Sequence, residues 1–340
     1  MGVSINTHKS LGTGIHTHIV PPPTSSFDGL ILEWVVPAGG TVIIRGNNGR
    51  TYNYDVDWGD GTIDNVTTYN GASHTYTSAA TYQTKISGAF GGLRNDNISG
   101  AFKGYLTRVV QWGNIQYETF YGALSGFTAL TSIPTESPDL TGLVTTSPYQ
   151  LFSGCSSLTS LDLSAWQNTG NFSGSGYKLF QGLLKCTEIN ITGWDVSNLS
   201  NCQDFMAQCG RTAGAGGCLV KAPNLDFSST DTLYRMFYRS AVSSSSDITN
   251  WTLRAAGVTL NRFLWEVGVF TSPSGFTTSL DMSTWNNTSA ITSMQYFAYG
   301  ASGLTSINIT GWDTSNVTNM YRGFYGCTNL GEIIGLSTMD

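Results

Sequence analysis

The stretch INITGWDVSNLSN at residues 189–201 returns as INITGWDTSNVTN at residues 307–319. Ten of the 13 positions are identical in the two copies. Such self-similarity is typical of repeat arrays, in which units that cannot bury an apolar face alone stack into one continuous core. The repeat therefore predicts a solenoid, a fold that usually presents extended binding surfaces rather than catalytic pockets.

Weaker copies of this unit place a tryptophan after a short alternating run. The tryptophans are Trp166, Trp194, Trp251, Trp285 and Trp312, with spacings of 28, 57, 34 and 27 residues. The spacing of 57 fits two units of which one lacks its tryptophan. We therefore expect the tryptophans to stack at equivalent positions. The alternating runs predict strands near residues 131–134, 158–164, 188–192, 280–283 and 304–310.

A short helix is expected after each tryptophan. In the last unit Val317, Met320 and Phe324 are spaced i, i+3, i+7, which places them on one face of a helix. Each unit is thus interpreted as a strand, a tryptophan turn, a helix of one to three turns and a glycine-containing return. The array predicts a right-handed solenoid of about eight units.

Composition excludes several classes of function. Charged residues make up 11% of the 340-residue chain, against about 25% in typical domains. The net charge is −6 and the basic residues form no cluster, so no nucleic-acid partner is expected. No apolar run approaches the length of a membrane span. Nothing in the pattern calls for a cofactor.

Residues 1–26 are interpreted as an extended docking arm. Gly12, Gly14 and the prolines at 21–23 break any regular structure there. The arm has no basic and apolar signal segment, which predicts synthesis in a cytoplasm without secretion. We expect it to dock on other proteins of a larger particle or on another copy, as part of a homo-oligomer. His16 and His18 would share one face of an extended segment, so a trimer could use them to bind a metal; the alternative is a free polar arm.

Four of the six cysteines, Cys155, Cys186, Cys209 and Cys327, lie at or near one recurrent repeat position. A solenoid would stack them as a ladder of buried free thiols, which behave as small hydrophobes. Disulfide pairing is the alternative. Zinc is disfavoured because the sequence contains no Cys-x-x-Cys pair.

A different pattern occupies residues 27–88. Runs rich in β-formers at residues 30–36 and 41–45 are followed by the turn signal Asn47-Asn-Gly49. The segment VDWGDGT at residues 56–62, with His74-Thr-Tyr76 and Thr81-Tyr82, resembles the polycystic-kidney-disease (PKD) type of Ig-like domain. This resemblance implies a sandwich of seven to nine strands over about residues 27–88.

Residues 89–340 resemble the bacterial surface-antigen (BspA-type) leucine-rich-repeat family. The matching motifs are QWGN at 111–114, PDL at 138–140, FSGCSSL at 152–158 and WDTSNVTNM at 312–320. The predicted fold class is thus mainly β with short helices: an arm, an Ig-like sandwich and a leucine-rich-repeat-like solenoid. The resemblance implies a surface-displayed adhesion or interaction protein without enzyme activity.

Possible chemical sites have structural alternatives. Asp55, Asp57 and Asp60 suggest calcium, but in the resembled sandwich Trp58 is buried and Asp60 bonds turn amides. The aspartates that follow the repeat tryptophans, at 195 and 313, are expected to cap turns. Only one histidine lies outside the arm and no catalytic pattern is evident, so no enzyme is predicted.

The side chains expected at the surface are rich in aromatic rings and amide groups. Such neutral surfaces suit carbohydrate stacking or wet protein interfaces, although some of these tyrosines could instead fill gaps between units. The candidates are Tyr117, Tyr121, Tyr234, Tyr238, Tyr296, Tyr299, Tyr321 and Tyr325.

The functional prediction is a non-enzymatic bacteriophage virion protein, on tail or capsid. Its solenoid would adhere to a glycan or protein of the host surface. The alternatives are a capsid decoration or cement protein without a receptor, and a bacterial cell-surface adhesin. Genomic neighbours would separate a phage protein from a cellular one.

Overall fold

The computed structural model describes residues 27–143, 146–214, 216–269 and 276–335. The expected arm at residues 1–26, with its metal candidates His16 and His18, lies outside the described residues. Within the described ranges no helix is long and apolar enough to cross a membrane.

The N-terminal part folds into two antiparallel sheets. Five strands form one sheet in the order β4-β3-β6-β1-β7, and β2 pairs with β5 in the other. Alternation along β3 buries Tyr52, Tyr54 and Val56 and turns the residues between them outward. The strands are β1 (Leu30–Val36), β2 (Thr41–Ile44), β3 (Tyr52–Asp57), β4 (Ile63–Val66), β5 (Ala72–Thr75), β6 (Ala80–Phe90) and β7 (Leu106–Gln111).

The larger sheet continues past residue 88, the expected end of this domain. β7 pairs with β1 at the edge of the sheet, after a 3₁₀ helix at Ala101–Gly104. The buried residues of the sheet belong to the same hydrophobic cluster as those of the repeats that follow. The apolar core is therefore continuous from the N-terminal sheets into the repeats.

Short parallel strands build a β-solenoid of about six turns in the C-terminal part, compared with the eight units expected. Hydrogen bonds in the same register extend back over two earlier turns, at residues 121–126 and 149–154, which precede the first of these strands. Each strand pairs with its equivalent in the next turn, for example Ile189 with Leu161 and with Val220. The strands are β8 (Ser160–Asp162), β9 (Gly174–Ser175), β10 (Glu188–Asn190), β11 (Leu199–Asn201), β12 (Leu219–Lys221), β13 (Asp226–Phe227), β14 (Thr252–Leu253), β15 (Val258–Thr259), β16 (Thr278–Asp281), β17 (Ile291–Ser293), β18 (Leu304–Asn308) and β19 (Glu332–Ile334).

The predicted stack of tryptophans is confirmed. The rings of Trp166 and Trp194 stack with centroids 5.8 Å apart, and those of Trp251 and Trp285 at 4.9 Å. From Trp194 onward, each repeat tryptophan donates its indole N–H to the carbonyl three residues before the equivalent position of the preceding unit. Trp251 donates to Ala222 O, so Leu225 occupies the position of the missing tryptophan. The other bonds of this ladder run from Trp194 to Leu163 O, Trp285 to Ile248 O and Trp312 to Met282 O.

The prediction of a helix after each tryptophan is wrong. Phe324 lies in a run of turns at residues 321–326, and Met320 precedes that run. The described residues contain only short 3₁₀ helices, at Ala101–Gly104, Thr169–Asn171 and Thr288–Ala290. In the earlier runs every second N–H donates to the next turn of the solenoid, as Phe152 N does to Leu179 O, and the last run accepts such bonds, as Tyr321 O does from Tyr296 N. Those donors cannot also bond within a helix, so stacking between turns replaces it.

Three of the four cysteines assigned to one position share it. The thiols of Cys155, Cys209 and Cys327 donate to carbonyls of the preceding turn, at Leu124, Phe180 and Ala298. Cys186 is placed elsewhere and contacts Glu188 O. All six cysteines are free. Burial raises the pKa of the Cys155 thiol to about 12, so this thiol is un-ionised at neutral pH and acts as a small apolar side chain.

Candidate binding surface

One column of the solenoid is built from six-residue segments that we call turn runs. The hydrogen-bond register between successive turns makes these segments equivalent. In most runs the third and fourth residues point into the core, as Leu151 and Phe152 do, while the first, second, fifth and sixth are at least partly exposed; Ser125, Asp204 and Ala207 are among the buried exceptions. The turn runs are residues 121–126, 149–154, 177–182, 203–208, 234–239, 261–266, 295–300 and 321–326.

The second and sixth positions of the turn runs have positive φ. Glycine occupies the sixth position in most runs, which avoids the cost of a Cβ atom there. Gln208, Arg239 and Glu266 stand at this position with φ of 61°, 51° and 56°. A side chain in this conformation costs about 1–3 kcal/mol. Because strain of this kind concentrates at functional sites, these central turns are the first candidates for a binding surface.

Aromatic and arginine side chains cover the last four turn runs, and we call this surface the arginine–aromatic patch. Its rings form a continuous network, with Tyr238 against Trp265 at 5.2 Å and Tyr299 stacked on Tyr325 at 5.4 Å. The patch consists of Tyr234, Arg235, Tyr238, Arg239, Arg262, Trp265, Glu266, Tyr296, Tyr299, Tyr321, Arg322 and Tyr325, with Asp204 beneath it.

Two ion pairs connect neighbouring turns of the patch. Arg235 Nη2 lies 2.6 Å from Oδ2 of Asp204, whose side chain is fully buried. Arg239 Nε bonds Glu266 in the next turn, and this bond raises the pKa of the Arg239 guanidinium further. These pairs hold both guanidiniums over the ring of Tyr238, at 5.4 Å and 5.3 Å from its centroid.

Arg262 and Arg322 are held by aromatic rings. The Arg262 guanidinium lies 4.4 Å from the Trp265 ring centroid and also donates to the Tyr234 hydroxyl. Arg322 lies 5.2 Å from the ring centroids of Tyr321 and Tyr325. Rings attract the cations through their π faces, which fixes the orientation of each guanidinium.

Most of the tyrosines singled out from the sequence belong to this column. Tyr321 and Tyr325 are 53% and 61% exposed, and Tyr121 stacks on Tyr149 at 4.7 Å in earlier turns of the same column. Tyr117 is different, because it is buried and donates its hydroxyl to Trp112 O. Tyr117 therefore fills a gap in the core, and its burial raises the pKa of its hydroxyl group.

The aspartates considered for calcium have structural roles. Asp60 Oδ1 accepts bonds from the Thr62 N–H at 3.1 Å and from the Thr62 hydroxyl at 2.6 Å. The Thr62 hydroxyl and the bond from His74 lower the pKa of Asp60. Trp58 is fully buried, as expected.

The aspartates after the repeat tryptophans also cap turns. Asp195 accepts bonds from the N–H and hydroxyl of Ser197, and Asp313 from those of Ser315. In the described part of the chain no group of three or more His, Cys, Asp and Glu residues could hold a metal ion.

Several members of the patch were missed from the sequence, among them Arg262, Trp265 and Glu266. A signal was present: alignment of the units by their core pairs, such as the pair at 151–152 with that at 263–264, shows large polar side chains where other units have glycine. That alignment requires the register between turns, since unit lengths vary.

Part of the chain is similar to a known protein family. Residues 231–337 match the family described as "Mycoplasma protein of unknown function, DUF285", which covers about a third of the chain and contains nearly all of the patch. Neither the curated proteins nor the solved structures contain a match to this chain. The family similarity and the solenoid together fit a repeat surface protein.

Proposed function

We propose that the protein is a non-enzymatic binding protein whose solenoid adheres to a cell surface through the arginine–aromatic patch. The observation that carries this proposal is the set of large side chains held at strained backbone positions. Tyrosine, tryptophan and arginine are the residues most enriched where binding energy concentrates. Their clustering on one column supports a recognition role better than a purely structural one.

Exposed tyrosines on the last turn run provide the first test. In the variant Tyr321→Ser/Tyr325→Ser, retention of labelled protein by intact bacterial cells should fall at least about tenfold, which corresponds to 1.4 kcal/mol. Both side chains are more than half exposed, so their loss should change the free energy of unfolding little. Cell retention and a glycan array supply the measurement.

The matched control is Ile63→Ser, which removes an apolar side chain of similar exposure from the N-terminal sheet. Retention of this control should equal that of the unchanged chain. If the folded protein binds neither cells nor the glycan array, the adhesive function is wrong, and the alternative of a decoration protein without a receptor is favoured. If the tyrosine variant binds as well as its parent, the patch is not the adhesive surface.

For the N-terminal sheets we propose a PKD-type Ig-like sandwich. Three contacts within the resembled motif support this assignment. The Tyr76 hydroxyl donates to Trp58 O at 2.8 Å, His74 stacks on the Trp58 ring, and His74 Nε2 lies 2.7 Å from Asp60 Oδ2.

We further propose that the adhesive surface is carried on a bacteriophage virion, to which residues 1–26 attach the chain. The glycine- and proline-rich composition of this segment supports the proposal, since such a segment cannot form a core alone. Deletion of residues 1–26 should abolish incorporation into particles while the melting temperature changes little, because the described residues form one continuous hydrophobic cluster from Leu30 to Trp312. Quantitative mass spectrometry of purified particles tests this, and equal incorporation of the truncated chain would contradict it.

A further inference from the structure

The arginine–aromatic patch is a positively charged region on an acidic protein. It contains four arginines and two carboxylates, Asp204 and Glu266, and therefore carries a net charge of +2, whereas the whole chain carries −6. The carboxylates pair with Arg235 and Arg239. Among the described residues no carboxylate lies within ion-pair distance of Arg262 or Arg322. Two guanidiniums thus remain to attract an anion.

Arg262 is preorganised for this role. Its guanidinium lies near three rings, with centroids at 4.4 Å for Trp265, 5.4 Å for Tyr296 and 5.5 Å for Tyr234. One N–H is used by the Tyr234 hydroxyl, and a guanidinium has five such donors in a planar fork. A fixed fork with unused donors matches the two oxygens of a carboxylate.

The rings of the patch leave limited area for an apolar ligand face. Tyr299 and Tyr325 stack on each other, and the faces of Tyr321 and Trp265 each have an arginine over them. Ring edges and hydroxyl groups remain, and the edge of an aromatic ring is the positive end of its quadrupole. The patch is therefore rich in hydrogen-bond donors, which favours an acceptor-rich anion over a neutral sugar stacked through its C–H face.

Polar and aromatic groups repeat along the column at the spacing of the turns, about 4.8 Å. In the earlier turns Tyr149 stacks on Tyr177 at 5.3 Å, and Lys178 lies over the Tyr177 ring. At the start of the column Arg94 lies over Tyr121. A row that repeats with every turn fits a linear polymer with regularly spaced charges better than the convex surface of a globular protein.

We infer that the arginine–aromatic patch binds a linear polysaccharide that carries carboxylate groups. Arg262 and Arg322 would each receive a carboxylate, and neighbouring tyrosine hydroxyls would donate to the ring oxygens and hydroxyls of the polymer. This inference rests on the proposed adhesive function and specifies the chemistry of its ligand.

The test measures binding of the full chain to polygalacturonate by titration calorimetry, with dextran as the neutral polysaccharide and poly-L-glutamate as the acidic peptide. Polygalacturonate should bind, and its affinity should fall as salt rises, because exposed charges are screened. Arg262→Gln and Arg322→Gln should each weaken it about tenfold, the loss of one charge-assisted contact. Arg108→Gln is the control, because this arginine is half exposed on the N-terminal sheet and should bind like the parent.

Equal binding of dextran, binding of poly-L-glutamate alone, or full affinity in both patch variants would each overturn the inference. Thermal unfolding shows whether each variant is folded. Arg322 lies in the exposed last turn run, so Arg322→Gln should fold and can test the inference even if Arg262→Gln does not fold. Failure of polygalacturonate while Tyr321→Ser/Tyr325→Ser still reduces cell retention would reject the ligand class and leave the adhesive function standing. If polygalacturonate does not bind and Tyr321→Ser/Tyr325→Ser is retained by cells as well as its parent, the adhesive function of the patch is rejected.

Discussion

Replacement of Trp251 by alanine should lower the free energy of unfolding by about 3–5 kcal/mol, the usual cost of removing a large buried aromatic side chain. Trp251 is fully buried, stacks on Trp285 at 4.9 Å and donates its indole N–H to Ala222 O at 2.6 Å. The substitution leaves a cavity between two turns and a buried carbonyl without its donor. Since each turn contacts mainly its neighbours, the damage should concentrate around the substituted turn.

Urea denaturation gives the size of this loss, and amide hydrogen exchange locates it. Exchange should accelerate most in the strands at Asp226–Phe227 and Thr252–Leu253, which pair beside Trp251. Tyr325→Ala removes a ring that is 61% exposed and should cost less than about 1 kcal/mol. A loss below 1 kcal/mol for Trp251→Ala would mean that the tryptophan ladder does not hold the turns together.

Replacement of Arg235 by methionine should cost about 3 kcal/mol, because it leaves the Asp204 carboxylate buried without its partner. The Asp204 side chain is fully buried, and its Oδ2 accepts from Arg235 at 2.6 Å and from Gln203 at 3.3 Å. Methionine preserves much of the apolar contact made by the arginine stem. The cost therefore reports mainly the unpaired charge, and chemical denaturation measures it.

A double variant separates charge from packing. Asp204→Asn/Arg235→Met removes both charges, and asparagine tolerates the positive φ of 55° at this position. The double variant should recover most of the stability lost in the single variant. Arg254→Met is the exposed control, since its partner Asp231 is 67% exposed, and it should cost less than about 1 kcal/mol. If Arg235→Met and Arg254→Met lower the free energy of unfolding equally, the burial of Asp204 does not increase the cost of breaking its ion pair.

Local patterns predicted the parts of the fold that depend on neighbours in the chain. Alternation placed the strands near residues 158–164, 188–192, 280–283 and 304–310, whereas residues 131–134 contain only an isolated bridge at Ser132. The aspartates after Trp194 and Trp312 predicted the capped turns, because strands and turns need only a few adjacent residues. The helical spacing of Val317, Met320 and Phe324 was misleading. Only Phe324 lies in a turn run, at residues 321–326, and the carbonyls of that run accept bonds from the preceding turn, as Tyr321 O does from Tyr296 N. The choice between a helix and a turn run therefore depends on residues about 25 positions away.

The amino-acid sequence by itself determined that the chain is a β-rich repeat protein with stacked tryptophans, since the repeated unit carries both its strand and its tryptophan. Only the tertiary structure decided which side chains form the candidate binding surface. Arg262 lies beside Tyr234 and Tyr296 because successive turns stack in register, although these residues are 28 and 34 positions from it in the chain. The physical reason is that the unit length varies, so residues fall into one column only after the turns have packed and their hydrogen bonds have set the register.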